Sequence, residues 1–211
     1  DLRVIFIKLA DRLHNMKTLK HHPKKDKRER IALETLNVYA PIADRLWLHS
    51  FKNRLDEECF KILNEHDYRN VKKQLFDARS TITAFKSNAR IEIDKLLEWS
   101  WIKYEVAFRV KSLFSIFRKM QQKWYENIND LYDIYWIKIL VWDIGDCYKV
   151  LWLVHNKWTP LPNRFKDYIA LPKPNGYKSL HTTILWLLTN HRKQPTEIQI
   201  KTFEMDLTSE I

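Results

Sequence analysis

At 211 residues, with 45% apolar and 30% charged side chains, the chain is long enough for one large domain or two small ones. A formal net charge of +11 favours polyanionic ligands such as nucleotides, nucleic acid or an anionic surface. The absence of any run of 18 apolar residues excludes a membrane-spanning helix, and two cysteines far apart, Cys59 and Cys147, exclude a disulfide framework.

Leu2, Phe6, Leu9, Leu13 and Met16 recur four and three apart, which predicts a helix over residues 2–19. Residues 17–30 are basic and contain Pro23, so they read as a connection. Ile31, Leu33, Leu36, Val38, Tyr39 and Ile42 predict a helix over 31–46. Residues 51–63 and 68–97 read as further helices. The second is long and charged, with Val71, Leu75, Ile82 and Phe85 as a thin apolar stripe. Near residue 100 the texture changes. Residues 102–108 alternate like a strand, 112–124 are helical, and 134–142 form an apolar strand whose only charge before its end is Lys138. A helix over 146–157 and strands over 167–171, 179–187 and 195–202 follow. The fold class is therefore α+β, an all-helical segment followed by an α/β segment. The chain starts inside what reads as a helix, without an initiator Met, and stops abruptly at Thr208-Ser209-Glu210-Ile211, so it reads as a piece of a longer protein with no signal peptide. A reducing, cytoplasmic setting suits its unpaired cysteines.

The second half carries the chemistry. Asp133 stands at the mouth of the apolar strand DIYWIKILVW, and Glu197 opens EIQIKT. Taken singly, each carboxylate merely flanks a strand. If the two strands are neighbours, both meet at one end of a sheet, the oxygen-rich setting that a hard cation such as Mg²⁺ takes with phosphate oxygens and water. Cations surround them in sequence. Arg109 and Lys111 follow the first strand, Ser115 and Lys119 lie four apart on the next helix, and Arg164, Lys166 and Lys173 precede a turn that His181 and Lys201 follow. Phosphoryl transfer needs such a group, because its catalysis is mostly positioning and charge neutralisation. The turn is Asn175-Gly176-Tyr177. It holds one of only two glycines, where average usage would give about 15. It presents an aromatic ring among cations, which suits a stacked nucleobase.

These strings resemble the RelA/SpoT long alarmone synthetase/hydrolases. DLRVIFIKLADRLHNMKTL looks like the end of that family's HD-type hydrolase domain, and ALETLNVYAPIADRLWLHSFKN like its helical connection. RFKDYIALPKPNGYKSLHTT and EIQIKT look like its synthetase domain. The resemblance implies a division into residues 1–20, 21–100 and 101–211. It also implies a mixed-sheet synthetase fold related to polymerase β-type nucleotidyltransferases. The implied reaction moves the β,γ-pyrophosphate of ATP to the 3′-hydroxyl of GDP or GTP. Carried over by motif, Asp133 holds Mg²⁺, and Glu197 shares it or acts as general base. Arg109, Lys111, Ser115 and Lys119 serve ATP and its phosphates. Tyr177 stacks on guanine, with Arg164, Lys166, Lys173, Asn175 and His181 on the acceptor side. In the parent, regions outside this chain would meet the ribosome and uncharged tRNA.

On the first helix the resemblance makes Asp11 a ligand of Mn²⁺ and Asn15 a nucleotide contact. A complete HD site also needs an upstream His and a His-Asp pair that this chain lacks, so hydrolysis is not expected from it alone. Other positions depart from the family pattern. Phe108 replaces a glycine before Arg109, which predicts crowding on the ATP side, and Lys138 replaces an arginine. Nine tryptophans accompany the two glycines. Trp47, Trp101, Trp136, Trp152 and Trp186 stand where the family has glycine or another small residue, the pattern expected if UGA codons for glycine were translated as tryptophan. Strain or overpacking is expected there. The alternative to an enzyme is an inactive synthetase-like module that binds guanine nucleotide or RNA.

Overall fold

The computed structural model describes residues 2–46, 48–131, 134–174, 176–187 and 193–210. Asp133, Asn175 and Trp47 lie outside them. The chain divides into two compact units, residues 1–74 with 112–125 and 210–211, and residues 75–111 with 126–209.

The first unit is helical. Helix α1, Leu2–Thr18, buries Leu9, Leu13 and Met16 of the expected stripe, but Phe6 is exposed. A 3₁₀ turn, Leu19–His21, leads past Pro23 into α2, Lys25–Glu34. The basic run expected to be a connection is thus helical from Lys25 onward, because straight-chain Lys, Arg and Glu are good helix formers whatever their charge. Between α2 and α3, Ala40–Arg45, the backbone widens into a π turn, Thr35–Tyr39. Two local features fit this widening. Thr35 Oγ1 donates back to the Ile31 carbonyl at 2.7 Å, and Pro41 brings a ring and no N–H to the next turn. Helix α4, His49–Leu63, places Leu55 against Leu9, Leu13, Ala40 and Ala43, and Cys59 against Met16, Leu19 and Ala32. Burial pushes the Cys59 thiol up to about 12, so it behaves as an apolar residue. Helix α5, Glu65–Asp77, buries only Val71.

The second unit begins near the end of α5. The single long helix expected over 68–97 is broken at Ala78, and α6, Arg79–Leu97, carries its own stripe of Ile82, Phe85, Ala89, Ile93 and Leu97. The sheet follows: β1, Tyr104–Val110; β2, Tyr135–Val141; β3, Lys166–Asp167; β4, Leu180–Leu187; and β5, Lys193–Thr202. Their order is β1-β2-β5-β4-β3, with β2 and β5 parallel and every other pair antiparallel. Between β1 and β2 the chain forms α7, Leu113–Lys123, which belongs to the first unit, and between β2 and β3 it forms α8, Ile144–Lys157. The strand expected over 167–171 shrinks to two residues. Asp167 Oδ1 accepts from the Ile169 and Ala170 amides at 2.9 and 2.8 Å, an Asx turn that takes the chain out of the sheet. An unexpected helix α9, Phe203–Glu210, is capped by Thr202 Oγ1, which accepts from the Met205 amide at 3.1 Å.

Tryptophan takes left-handed backbone at Trp101, φ 57°, and Trp124, φ 56°, and the two residues are 96% and 92% exposed. Trp124 closes α7, with its own amide and that of Tyr125 donating to Gln121 and Met120 carbonyls. Neither indole gains burial in return for the strain. Trp101→Gly and Trp124→Gly are each expected to raise unfolding free energy by about 0.5–1 kcal/mol, relief of left-handed strain less glycine's entropy cost. A higher denaturant midpoint at unchanged slope checks this. The expected strain is absent at Trp152 and Trp186. Trp152 sits in regular helix, and Trp186 is 1% exposed and stacks on Trp158 at 4.5 Å.

Candidate active site

Successive side chains of a strand point to opposite faces, so the ladder sorts the sheet into two. One face carries Val106, Ile137, Ile139, Ile198, Ile200, Leu180 and Ile184, all buried. Phe108 lies on this face, paired with Ile137. Its ring therefore lies on the face opposite Arg109.

The opposite face is polar. Arg109, Trp136, Glu197 and Thr183 form one row across β1, β2, β5 and β4. The next row is Ala107, Lys138, Gln199, His181 and Lys166. Lys201 follows Gln199 on the same side. Glu197 is the fifth residue of β5, because β5 starts at Lys193, two residues before the strand expected over 195–202, and pairs with β4 before β2 joins it. The condition set by the sequence is met: β2 and β5 are neighbours, and the chain enters β2 at the Glu197 end.

A chain of contacts runs along this face. Gln199 Nε2 donates to Glu197 Oε1 at 2.9 Å, and His181 Nδ1 lies 3.5 Å from the same oxygen. The Tyr177 hydroxyl is 2.8 Å from His181 Nε2. Burial lowers the His181 pKa to about 4 against the pull of Glu197, and the charges of Lys173, Lys166 and Lys201 push the same way as burial. The imidazole is thus neutral near pH 7. With its proton on Nδ1 facing Glu197, Nε2 accepts from the Tyr177 hydroxyl, which satisfies both contacts. Burial raises the Tyr177 phenol to about 12, so it keeps its proton.

Gly176 shapes this corner. Its φ is +74°, and its amide donates to the Lys173 carbonyl at 2.8 Å, closing a turn that L side chains resist. Lys173 Nζ then stands 4.7 Å from the Tyr168 ring centre and 5.1 Å from that of Tyr177, while Lys201 Nζ is 5.5 Å from Tyr177. Tyr168 also meets His181 edge-on at 5.3 Å.

Among the expected residues, Glu197, Tyr177, His181 and Lys173 gather here. Lys166 pairs with His181 across β3 and β4, and Arg109 shares the Glu197 row. Arg164 is exposed just before β3. The Lys111 amide donates to the Ile134 carbonyl at 2.8 Å. Ser115 and Lys119 lie on α7, in the first unit, where the Ser115 amide donates to the capping Ser112 hydroxyl at 3.3 Å. Sequence reasoning missed Gln199, Tyr168 and Asp206. The alternation that starts at Glu197 points to Gln199. Asp206 has no such signal, because its helix was not expected.

Among the described residues Glu197 supplies one carboxylate to this face, and no group of three or more His, Cys, Asp or Glu side chains is placed to hold a metal. Among the same residues the half-buried Glu197 carboxylate meets Gln199 and His181 rather than a lysine or arginine. In the first unit, Asn15 Nδ2 donates to Asp11 Oδ2 at 3.0 Å beside a cleft of about 740 Å³ lined also by Lys8, Arg12, Lys27 and Glu34. One carboxylate and one amide do not by themselves make a metal site.

Two family descriptions match the chain: the region found in RelA / SpoT proteins over residues 108–211, and the HD domain over residues 1–47. Both imply use of a divalent metal. The chain is 42% identical over 98% of its length to a guanosine-3′,5′-bis(diphosphate) 3′-pyrophosphohydrolase of Borreliella burgdorferi. It is 42% identical over its whole length to the bifunctional (p)ppGpp synthase/hydrolase SpoT of Escherichia coli K12, and 39% identical to the GTP pyrophosphokinase rsh of Brucella melitensis. It spans 30%, 29% and 27% of these relatives respectively. No described helix is long and apolar enough to cross a membrane. With both family matches falling on the segments whose strings resemble them, and that identity sustained from end to end, the chain belongs to the RelA/SpoT family.

Proposed function

We propose that residues 101–211 form the pyrophosphate-transfer domain of a cytoplasmic GTP/GDP diphosphokinase whose parent also hydrolyses (p)ppGpp. The observation that carries this reading is the polar sheet face. It joins Glu197, His181 and Tyr177 in one contact chain and rings them with lysines. A purine base finds an aromatic platform there, and phosphates find cations.

In the reaction, the 3′-oxygen of GDP or GTP bonds to the β-phosphorus of ATP. The bond from that phosphorus to the α–β bridging oxygen breaks, and AMP leaves. Glu197 takes the 3′-hydroxyl proton. Neutral His181 and the Tyr177 hydroxyl fix the carboxylate's neighbourhood without competing for that proton. Tyr177 stacks on guanine, with Asn175, Lys173, Lys166 and Arg164 on the acceptor side. Arg109 and Lys111, with Ser115 and Lys119 of α7, serve ATP. Glu197 and Asp133 would hold Mg²⁺, which supplies charge neutralisation on the phosphates when bound. Residues 1–20, 21–100 and 101–211 remain the proposed division into hydrolase remnant, connection and synthetase. In the parent, Asp11 would join ligands outside this chain around Mn²⁺.

The test is transfer of label from ATP to GDP or GTP by the full-length parent with Mg²⁺. Label in ppGpp or pppGpp supports the reading. A folded protein that binds guanine nucleotide and makes no product is instead a regulatory module. Trp136 is the feature that favours this second reading, since its indole occupies the row between Arg109 and Glu197.

A further inference from the structure

On the same face as the contact chain lies a buried charge cluster, of which Lys138 and Asp206 have no part in the roles above. Lys138 of β2 and Lys201 of β5 have only 7% and 5% of their side chains exposed. Both meet Asp206 of α9: Lys138 Nζ donates to Oδ2 at 2.5 Å, and Lys201 Nζ lies 2.7 Å from Oδ1. Burial lowers the Lys201 pKa and Asp206 opposes the change, while both lysines hold the Asp206 carboxyl below its usual range against its own burial.

The burial of two ammonium groups is costly unless an anion lies between them. Asp206 is that anion, and its position has a consequence for the neighbouring ring. Lys201 Nζ is the same atom that stands 5.5 Å from the centre of Tyr177. A lysine on a four-carbon stem has many rotamers, and the Asp206 carboxylate selects the one that leaves the ammonium at the ring. The ring in turn is tied through its hydroxyl to His181 and onward to Glu197. The α9 helix holds Asp206 in place because Thr202, next to Lys201 in β5, caps it.

We propose that Asp206 is a positioning residue: through Lys201 it sets the Tyr177 platform, and so controls affinity for the purine acceptor without touching ATP. This deepens the reading of Tyr177 as the acceptor platform and rests on it. It also gives α9 a role.

The experiment measures Asp206→Asn in the full-length protein by two independent readouts. The first is steady-state KM for GDP and for ATP. The second is calorimetric affinity for GDP without ATP. The acceptor KM is expected to rise about thirtyfold, what a desolvated cation–ring contact is worth, with the KM for ATP unmoved. GDP affinity falls by the same factor, and Asp206→Glu restores most of it. A purely structural role would lower the melting temperature and the active fraction and leave both KM values alone. An unchanged acceptor KM, or equal rises for ATP and GDP, overturns the proposal. If Asp206→Asn does not fold, Lys201→Met removes the ammonium at the ring and keeps the Lys138–Asp206 pair. It must then show the same acceptor-selective loss. A wild-type protein that makes no product but binds GDP more weakly after Asp206→Asn refutes pyrophosphate transfer and sustains the positioning role. Wild-type transfer with an acceptor KM indifferent to Asp206 refutes the positioning role alone.

Discussion

Glu197→Gln is expected to lower kcat for pyrophosphate transfer by about a thousandfold, the scale on which a positioned proton acceptor acts. The substitution keeps the shape of the side chain and removes its charge and basicity. The fold should tolerate it. Glu197 is half-buried on the polar face, and among the described residues its carboxylate neutralises no lysine or arginine whose loss of partner would destabilise the sheet. Gln199 still finds an amide oxygen to donate to. The acceptor KM and the melting temperature should therefore move little while turnover collapses. Turnover within tenfold of wild type would remove Glu197 from the chemistry and leave the polar face a binding surface.

The second large effect belongs to Tyr177. Tyr177→Ala is expected to raise the acceptor KM by about thirtyfold, the middle of the range for one base stacked on an aromatic side chain. The KM for ATP should stay put. Tyr177→Phe separates the two jobs of this residue. It keeps the ring beside Lys173 and Lys201, and deprives His181 Nε2 of its donor at 2.8 Å. Acceptor affinity should then survive. The imidazole, no longer fixed at both nitrogens, should cost turnover instead. A Phe variant with an acceptor KM as high as that of the Ala variant would show that the hydroxyl, not the ring, binds the acceptor.

Much of this site is legible in the amino-acid order. Gly176 announces a turn that needs positive φ, and the ring and cations around it announce a planar, charged ligand. Alternation in IYWIKILV and EIQIKT tells which side chains share a face, because the period of two is a local property of an extended chain. On that ground Gln199 and Lys201 are readable as companions of Glu197. The stripe of Leu9, Leu13 and Met16 is readable for the same reason at helical period. Local signals are weaker at element ends. The Asp167 turn, the break at Ala78 and the start of α2 at Lys25 each turn on a cap or a propensity that the hydrophobic pattern does not carry.

By itself, then, the sequence determined the family, the alternating faces of the strands, the turn at Gly176 and most of the groups that surround it. Tertiary structure alone decided that β2 and β5 lie side by side, that Asp206 comes between Lys138 and Lys201, and that His181 is neutral. The physical reason is range. Periodicity and turn chemistry are set by each residue's near neighbours along the chain. Strand adjacency, the pairing of buried charges and the desolvation that moves a pKa depend on groups brought together from distant positions, and none of these leaves a mark on the residue itself.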